Sequence, residues 1–364
     1  MSALKVVHVE TGRYLYGGAR QVLHLLEHLP ALGVESLLVC SRGAEIAERG
    51  RALDVRVAEL PMRGDLDLPF AFRLAALLRH ERPDLVHVHS RRGADVWGGL
   101  AARMAGVPAL LTRRVDNPES ALAVRLKYPL YQQIVAITEA VKQVLVGNGV
   151  PADRIAVVHS AIDPAPYRQH ASRAELVAAF GLDAGAPVLG IAAQLIGRKG
   201  HGYLFEALQQ LAQRHPTVQL LVFGRGPLEA ELRAQAQALG LGGRVHFLGF
   251  RDDLGHWLGA LDLLVHPALA EGMGVTLLQA AASGTAVIAS RAGGIPEAVA
   301  DGQTGLLVPP ADVAALAAAI ARLLDDTELR QRLGAAGPAF VEAGFTASRM
   351  AAGNRAVYRR LLGR

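Results

Sequence analysis

Two doubly wound α/β domains, each a parallel sheet in the Rossmann manner, are what this 364-residue sequence predicts. The chain exceeds the ~250 residues at which a single hydrophobic core stops growing. Short runs rich in Val, Ile and Leu recur along it, each followed by glycine or polar residues and then by an amphipathic stretch, which is the βαβ rhythm of a parallel sheet. The rhythm lapses at Pro164, Pro166 and a polar stretch to Ser172, then begins again. The reading therefore has a first domain over 1–165, a second over 172–345, and a terminal helix over 346–364.

In the first half the strand candidates are Leu4–Val9, Glu35–Val39, Leu85–His89, Ala109–Thr112, Ile134–Ile137 and Ile155–His159. Amphipathic helices fit between them at Ala19–Leu32, Pro69–His80 and Asp95–Ala105. The second half offers Val188–Ala193, Gln219–Phe223, Arg244–Leu248, Leu261–Val265 and Ala286–Ala289 as strands, with helices at His201–Arg214, Leu228–Leu239 and Val275–Ser283. The last ~40 residues read as Ala-, Arg- and Leu-rich helix, broken near Gly337-Pro338 and again near Gly344. With no strand left to cover in the second domain, this terminal segment is expected to cross back and pack on the first. Two such domains leave a cleft between them, and in doubly wound sheets ligands sit beyond the carboxyl ends of the strands.

Composition narrows the function classes. An apolar fraction of 51% excludes a disordered chain. No apolar run reaches the ~20 residues of a membrane-spanning helix, and the start MSALKVVHVETG has no basic segment before an apolar one, so a cytoplasmic protein is expected. A single cysteine, Cys40, rules out an internal disulfide and a cysteine-built metal cage; it reads as a buried thiol. The net charge of +5 permits attraction to anionic small molecules, to an acidic membrane surface or to nucleic acid. With only 5% aromatic residues and no basic patch interleaved with them, nucleic acid is not expected as a partner.

The second half carries the stronger chemistry. The strand ending at Ala193 runs into Gln194-Leu195-Ile196-Gly197-Arg198-Lys199-Gly200 before a helix. Glycine allows close backbone approach, the helix start offers free N–H groups, and Arg198 and Lys199 add charge, a combination suited to a diphosphate; an ordinary basic loop is the alternative. A second such loop, Gly224-Arg225-Gly226-Pro227, follows the next strand, but Glu229 breaks the G-x-G-x-x-G dinucleotide pattern. The segment Pro267–Gln279 places a carboxylate, Glu271, before Gly272-Met273-Gly274 and a helix from Val275. Gln279 lies about two helical turns beyond Glu271, where both could line one edge of a ligand. The plainer reading makes Glu271 a helix-start acid worth ~0.3–1 kcal/mol.

The segments GRKG (197–200), EGMGVTLLQAAASGTAVIAS (271–290), GGIPEAV (293–299) and DGQTGLLV (301–308) resemble, in order and spacing, the retaining glycosyltransferases of family four with the GT-B fold. GGAR (17–20), PDLVHVHS (83–90) and VVHSAID (157–163) extend the resemblance over nearly the whole chain. It implies that Arg198 and Lys199 bind a donor diphosphate, that Glu271 hydrogen-bonds sugar hydroxyls, and that the backbone of Met273 and Gly274 approaches phosphate and sugar. Gly17, Gly18, Gln194, Gly224, Gly226, Phe250, Gly272 and Val275 complete the nucleotide-sugar site. Two departures stand out. Gln279 occupies the place of a second glutamate on the ribose hydroxyls, and Gln194 that of a phosphate-binding arginine, as in enzymes similar to those of lipopolysaccharide core assembly. A neutral amide binds hydroxyls more weakly than a carboxylate, roughly 0.5–1.5 against 1.5–3 kcal/mol.

In the first half, Tyr16-Gly17-Gly18-Ala19-Arg20 is either a cleft-edge loop or a structural turn. His87 and His89 alternate on one strand and share a face. Both could be satisfied core histidines; the resemblance makes His89 the one that meets the donor sugar. No third ligand is apparent beside them, and Asp65-Leu66-Asp67 lies in a polar loop with no apolar strand before it, so no metal is expected. Arg91-Arg92 and Arg113-Arg114 each follow a strand, as solvated surface or as binders of an anionic acceptor.

The resulting expectation is metal-independent transfer, with retention, of a hexosyl group from a nucleoside-diphosphate sugar, UDP-sugar favoured, to a hydroxyl of an anionic glycan or lipid-linked glycan in cell-envelope polysaccharide synthesis. Glu271, His89, Lys199 and Arg198 form the catalytic set; no cofactor is expected, and peripheral contact with an anionic membrane at the inner face of the plasma membrane fits the charge. The alternatives are a GT-B epimerase or phosphorylase, and a basic nucleic-acid or membrane-surface binding protein.

Overall fold

The computed structural model describes residues 3–90 and 93–364. The chain forms two compact units, Met1–Ile162 together with Ala347–Arg364, and Asp163–Thr346.

The first unit is a seven-stranded parallel sheet of β1 (Leu4–Glu10), β2 (Val34–Ser41), β3 (Arg56–Leu60), β4 (Leu85–Val88), β5 (Ala109–Arg113), β6 (Gln133–Ala136) and β7 (Ile155–Val157), in the order β3-β2-β1-β4-β5-β6-β7. Its central strands are buried along almost their whole length because helices cover both faces, which is why they read as unbroken apolar runs. The terminal helix Ala347–Leu361 packs on the helix Gly17–His28, and its Met350, Val357 and Tyr358 share one apolar cluster with Val6, Leu85 and Leu110. Across the same junction, Gln21 donates to the Ala161 carbonyl at 2.7 Å and accepts from the Ala161 N–H at 2.8 Å.

The second unit is a six-stranded parallel sheet of β8 (Val188–Ala192), β9 (Gln219–Phe223), β10 (Val245–Gly249), β11 (Leu263–His266), β12 (Val287–Ser290) and β13 (Gly305–Val308), in the order β10-β9-β8-β11-β12-β13. Its core runs from β8 and β9 to the helices His201–Gln210 and Val313–Asp325. In each sheet the order reverses once, between β1 and β4 and between β8 and β11. Such switch points are where doubly wound sheets bind ligands.

The structure corrects the sequence reading at three places. Strands β3 and β13 escaped it: both sit at sheet edges, β3 (RVAEL) carries two charges among its five residues and is at most half-buried, and β13 is the four-residue run GLLV. The Asp65–Asp67 loop therefore does follow a strand; Asp67 accepts from the Arg63 N–H at 2.8 Å and from Arg73 at 2.7 Å, tying the loop to the next helix. Finally, the helix Thr327–Gly344 runs through Pro338 without a break. Its glycines serve close packing, since a Cβ at Gly334 or Gly337 would come within 2.2 Å of the Gly284 carbonyl oxygen or 2.3 Å of that of Ala281.

Candidate functional site

In the second unit the loops leaving β8, β9, β10 and β11 are tied to one another by their backbones. The Leu195 N–H donates to the Arg225 carbonyl at 3.1 Å, the Gly224 N–H to that of Gly249 at 2.8 Å, and the Leu269 N–H to that of Arg198 at 2.8 Å. Glycine is required at two of these tips. Gly200 has φ +75° and a Cβ there would lie 1.9 Å from the Pro267 carbonyl oxygen; Gly224 has φ +150° and would meet that of Ala193 at the same distance.

Lys199 follows β8 and Glu271 follows β11, so the two sit at the switch point. Lys199 is 7% exposed, and its Nζ pairs with Glu271 Oε2. The same oxygen accepts from His266 Nε2 at 3.1 Å, which places the His266 proton on that nitrogen. Glu271 Oε1 accepts from the Gly272 N–H at 3.1 Å, and the Glu271 carbonyl from the Gly294 N–H at 3.0 Å, which joins the GGIPEAV turn to this loop. Burial works to raise the Glu271 carboxyl, but the hydrogen bond from His266 and the Lys199 charge prevail and hold it well below the usual carboxylate range. Arg198 is exposed, with Nη1 donating to the Ala270 carbonyl at 3.1 Å. Met273, Gly272 and Gly274 are buried at the mouth of the helix Val275–Ala282, whose first residue, Val275, and Gln279 are half-buried. Gln194 is exposed beside Leu195, Gly226 lies in the β9 loop, and Phe250 is 49% exposed directly after β10.

The sequence reading passed over two imidazoles here. His266 is the last residue of β11, a polar residue closing an apolar strand, and that position was its signal. His201 is 2% exposed, with neither ring nitrogen hydrogen-bonded; burial, with the positive neighbours His266 and Lys199, pushes it down to about 4.

In the first unit, Gly17 and Gly18 begin the helix Gly17–His28, and a Cβ at Gly18 would lie 3.7 Å from Arg114 Cδ. His89 is 3% exposed and holds a place in a cluster with His8 and His87, whose ring nitrogens lie within 4.8 Å of one another. The expectation that no third imidazole lies nearby is thus corrected: His8 on β1 stands in register with His87 on β4. Both nitrogens of His87 are engaged, Nδ1 with the Tyr358 hydroxyl at 2.7 Å and Nε2 with Thr112 Oγ1 at 2.6 Å. Burial holds His87 and His89 well below their ordinary value, with neighbouring positive groups adding to it, and takes His8 down to about 3.

The two arginines after β5 differ. Arg113 is 3% exposed; its Nη2 donates to the Asn117 carbonyl at 2.6 Å and its Nη1 lies 3.4 Å from Glu119, which also pairs with the buried Lys127. Arg113 is therefore a strut of a buried ion network and not an open acceptor contact. Arg114 is half-buried beside His89, and burial lowers it to about 10 against the favourable charge of Glu10. Arg91 and Arg92 lie outside the described residues.

A glycosyltransferase is the class that this pair of sheets, with basic and glycine-lined loops at one switch point, defines. Residues 172–340 match the model of glycosyl transferases group 1, and residues 16–166 that of glycosyltransferase family 4. The chain is 32% identical over 347 residues to a 2-deoxystreptamine glucosyltransferase of Streptomyces kanamyceticus, covering 84% of this chain and 89% of that one. It is 27% identical to the lipopolysaccharide core biosynthesis glycosyltransferase LpsE of Rhizobium meliloti, over 91% and 92% of the two chains. Among solved structures, Anabaena HepE in complex with UDP superposes with a TM-score of 0.87 at 21% identity, over 98% of this chain and 100% of that one. The chain belongs to the family-four glycosyltransferases, and its fold is GT-B.

Proposed function

We propose that the chain moves a hexosyl group from a nucleoside-diphosphate sugar to a hydroxyl of an anionic glycan or lipid-linked acceptor, with retention at the anomeric carbon and without a required metal. The observation that carries this reading is the Lys199–Glu271–His266 set at the β8/β11 switch point, ringed by backbone that only glycine can supply. Lys199 and Arg198 supply the charge for the diphosphate, and the carboxylate of Glu271, kept ionised, accepts from sugar hydroxyls. As the glycosyl–phosphate bond breaks, negative charge grows on the leaving diphosphate, where fixed cations and helix-end N–H groups stabilise it most. In the second unit Gly224, Gly226, Phe250, Gly272, Met273, Gly274, Val275 and Gln279 form the rest of the donor site. His89 meets the transferred sugar by family resemblance.

UDP is the favoured donor nucleotide, a choice supported by the UDP bound in the HepE structure. LpsE, named for lipopolysaccharide core biosynthesis, supports an envelope glycan as acceptor. Among the described residues no helix is long and apolar enough to cross a membrane, so a lipid-linked acceptor would be met at the surface. Thermal-shift screening with UDP, GDP, ADP and their sugars tests the donor: at ~100 times Kd the correct one stabilises by ~2.7 kcal/mol. Turnover that persists in EDTA supports metal independence; loss that Mg²⁺ restores refutes it. Arg91→Ala with Arg92→Ala is expected to raise acceptor KM far more than donor KM, and equal effects refute the anionic-acceptor assignment.

A further inference from the structure

We infer that His8 is a positioning residue for His89, fixing its tautomer through a buried relay of hydrogen bonds that runs Arg114, His89, His8, Ser36. The argument starts from the one member that can only donate. A guanidinium has no acceptor, and Arg114 Nη2 lies 3.4 Å from His89 Nδ1, so that nitrogen carries the lone pair. The proton of the neutral His89 ring is then on Nε2, which donates to His8 Nδ1 at 3.1 Å. His8 in turn bears its proton on Nε2, 3.4 Å from Ser36 Oγ. The two rings lie nearly parallel, at an interplanar angle of 13°. All three side chains beyond Arg114 are buried, so no bulk water competes for these protons.

His87 stands outside the relay because Tyr358 and Thr112 take both its nitrogens. This separates the cluster from a three-imidazole metal centre, as does the Arg114 cation beside it. The chemical consequence lies at His89 Nδ1. A group that displaces Arg114 from that lone pair has to be a donor, such as a hydroxyl, whereas a carbonyl or ether oxygen finds no proton there. Without His8 only the long 3.4 Å contact from Arg114 keeps the His89 proton on Nε2, and once a ligand displaces Arg114 the ring is free to place its proton on either nitrogen, so the preference for a donor is lost. This role deepens the proposed function, since it rests on His89 meeting the sugar.

The test joins spectroscopy to kinetics on the full chain. Long-range ¹⁵N–¹H imidazole spectra of the wild-type protein at neutral pH are expected to show His89 and His8 both protonated on Nε2, with His8→Phe supplying the assignment by difference. In His8→Phe, which removes the acceptor and leaves only the 3.4 Å Arg114 contact to hold the proton on Nε2, His89 should show mixed tautomers and kcat should fall about ten- to a hundredfold, the scale of losing a partner that orients a site imidazole. Donor KM should stay within about twofold. His8→Gln, which restores an acceptor oxygen, should recover most of the loss and guards against a His8→Phe chain that fails to fold. Nδ1-protonated His89 in the wild type would overturn the inference, as would unchanged tautomer and kcat in a folded His8→Phe. Stoichiometric Zn²⁺ binding that shifts all three imidazoles would replace it with a metal centre. A wild-type chain that shows the expected spectra but transfers no sugar would instead refute the donor reading and the positioning role together, leaving only the tautomers.

Discussion

Lys199 Nζ rests against Glu271 Oε2, and this single pair bridges the tips of β8 and β11, the two strands at which the second sheet reverses its order. On the proposed function, Lys199 serves the diphosphate and Glu271 the sugar, so donor binding would have to divide this pair. Glu271→Gln is therefore expected to split two properties that usually fall together: sugar transfer drops, while affinity for the bare nucleoside diphosphate holds or tightens by up to about fivefold, the equivalent of a ~1 kcal/mol ion pair. Calorimetric titration with UDP beside turnover assays checks it, and a parallel loss of both would show that Glu271 acts on the diphosphate directly.

Lys199→Ala is expected to lower kcat/KM by at least ~100-fold, the scale for losing one preorganised charge stabiliser. Steady-state kinetics at saturating acceptor measure this, and near-normal turnover would remove Lys199 from the chemistry.

Gln279→Glu should tighten donor binding by about 1 kcal/mol, roughly fivefold, because a carboxylate makes stronger hydrogen bonds to ribose hydroxyls than an amide. The gain should vanish with a 2′,3′-dideoxy nucleotide. An equal gain with that analogue would place residue 279 away from the ribose.

Stability of the first unit should depend on pH through its buried histidines. Their folded values lie below the ordinary 6.5, so the unfolded chain binds their protons first as pH falls. The stabilisation is complete above about pH 6.5 and is lost progressively as pH falls below it, the His8 share being lost by about pH 3. Denaturant titrations of wild type and His87→Gln at pH 7 and pH 5 measure the effect. Equal pH dependence in both would deny that His87 contributes.

Much of this was legible from sequence because it is local. The βαβ rhythm, the terminal helix that crosses back and the strand-end loops at Lys199 and Glu271 each lie within a short window where period and glycine placement speak directly. The failures were of two kinds. Edge strand β3 carries charge at two of its five positions and lacks the apolar run that marks a buried strand, the short apolar run GLLV of β13 was passed over, and Pro338 was read by its local cost although the helix runs through it. The missed site residues are non-local. His8 meets His89 only because β1 and β4 become neighbours across 81 positions of sequence, and His266 reaches Glu271 only once the β11 loop folds back. Arg113 and Arg114 look equivalent in sequence, yet only the first belongs to the ion network around Glu119 and Lys127.

The central claim, that the tips of the second sheet hold the diphosphate of a sugar donor, is tested most directly by titrating UDP into the wild-type chain and into the Arg198→Ala, Lys199→Ala double variant. The account predicts one saturable site in the wild type and at least a hundredfold weaker binding in the variant, with the fold intact by circular dichroism. Equal UDP affinity in the two proteins would contradict it, as would a wild-type chain that binds none of UDP, GDP and ADP.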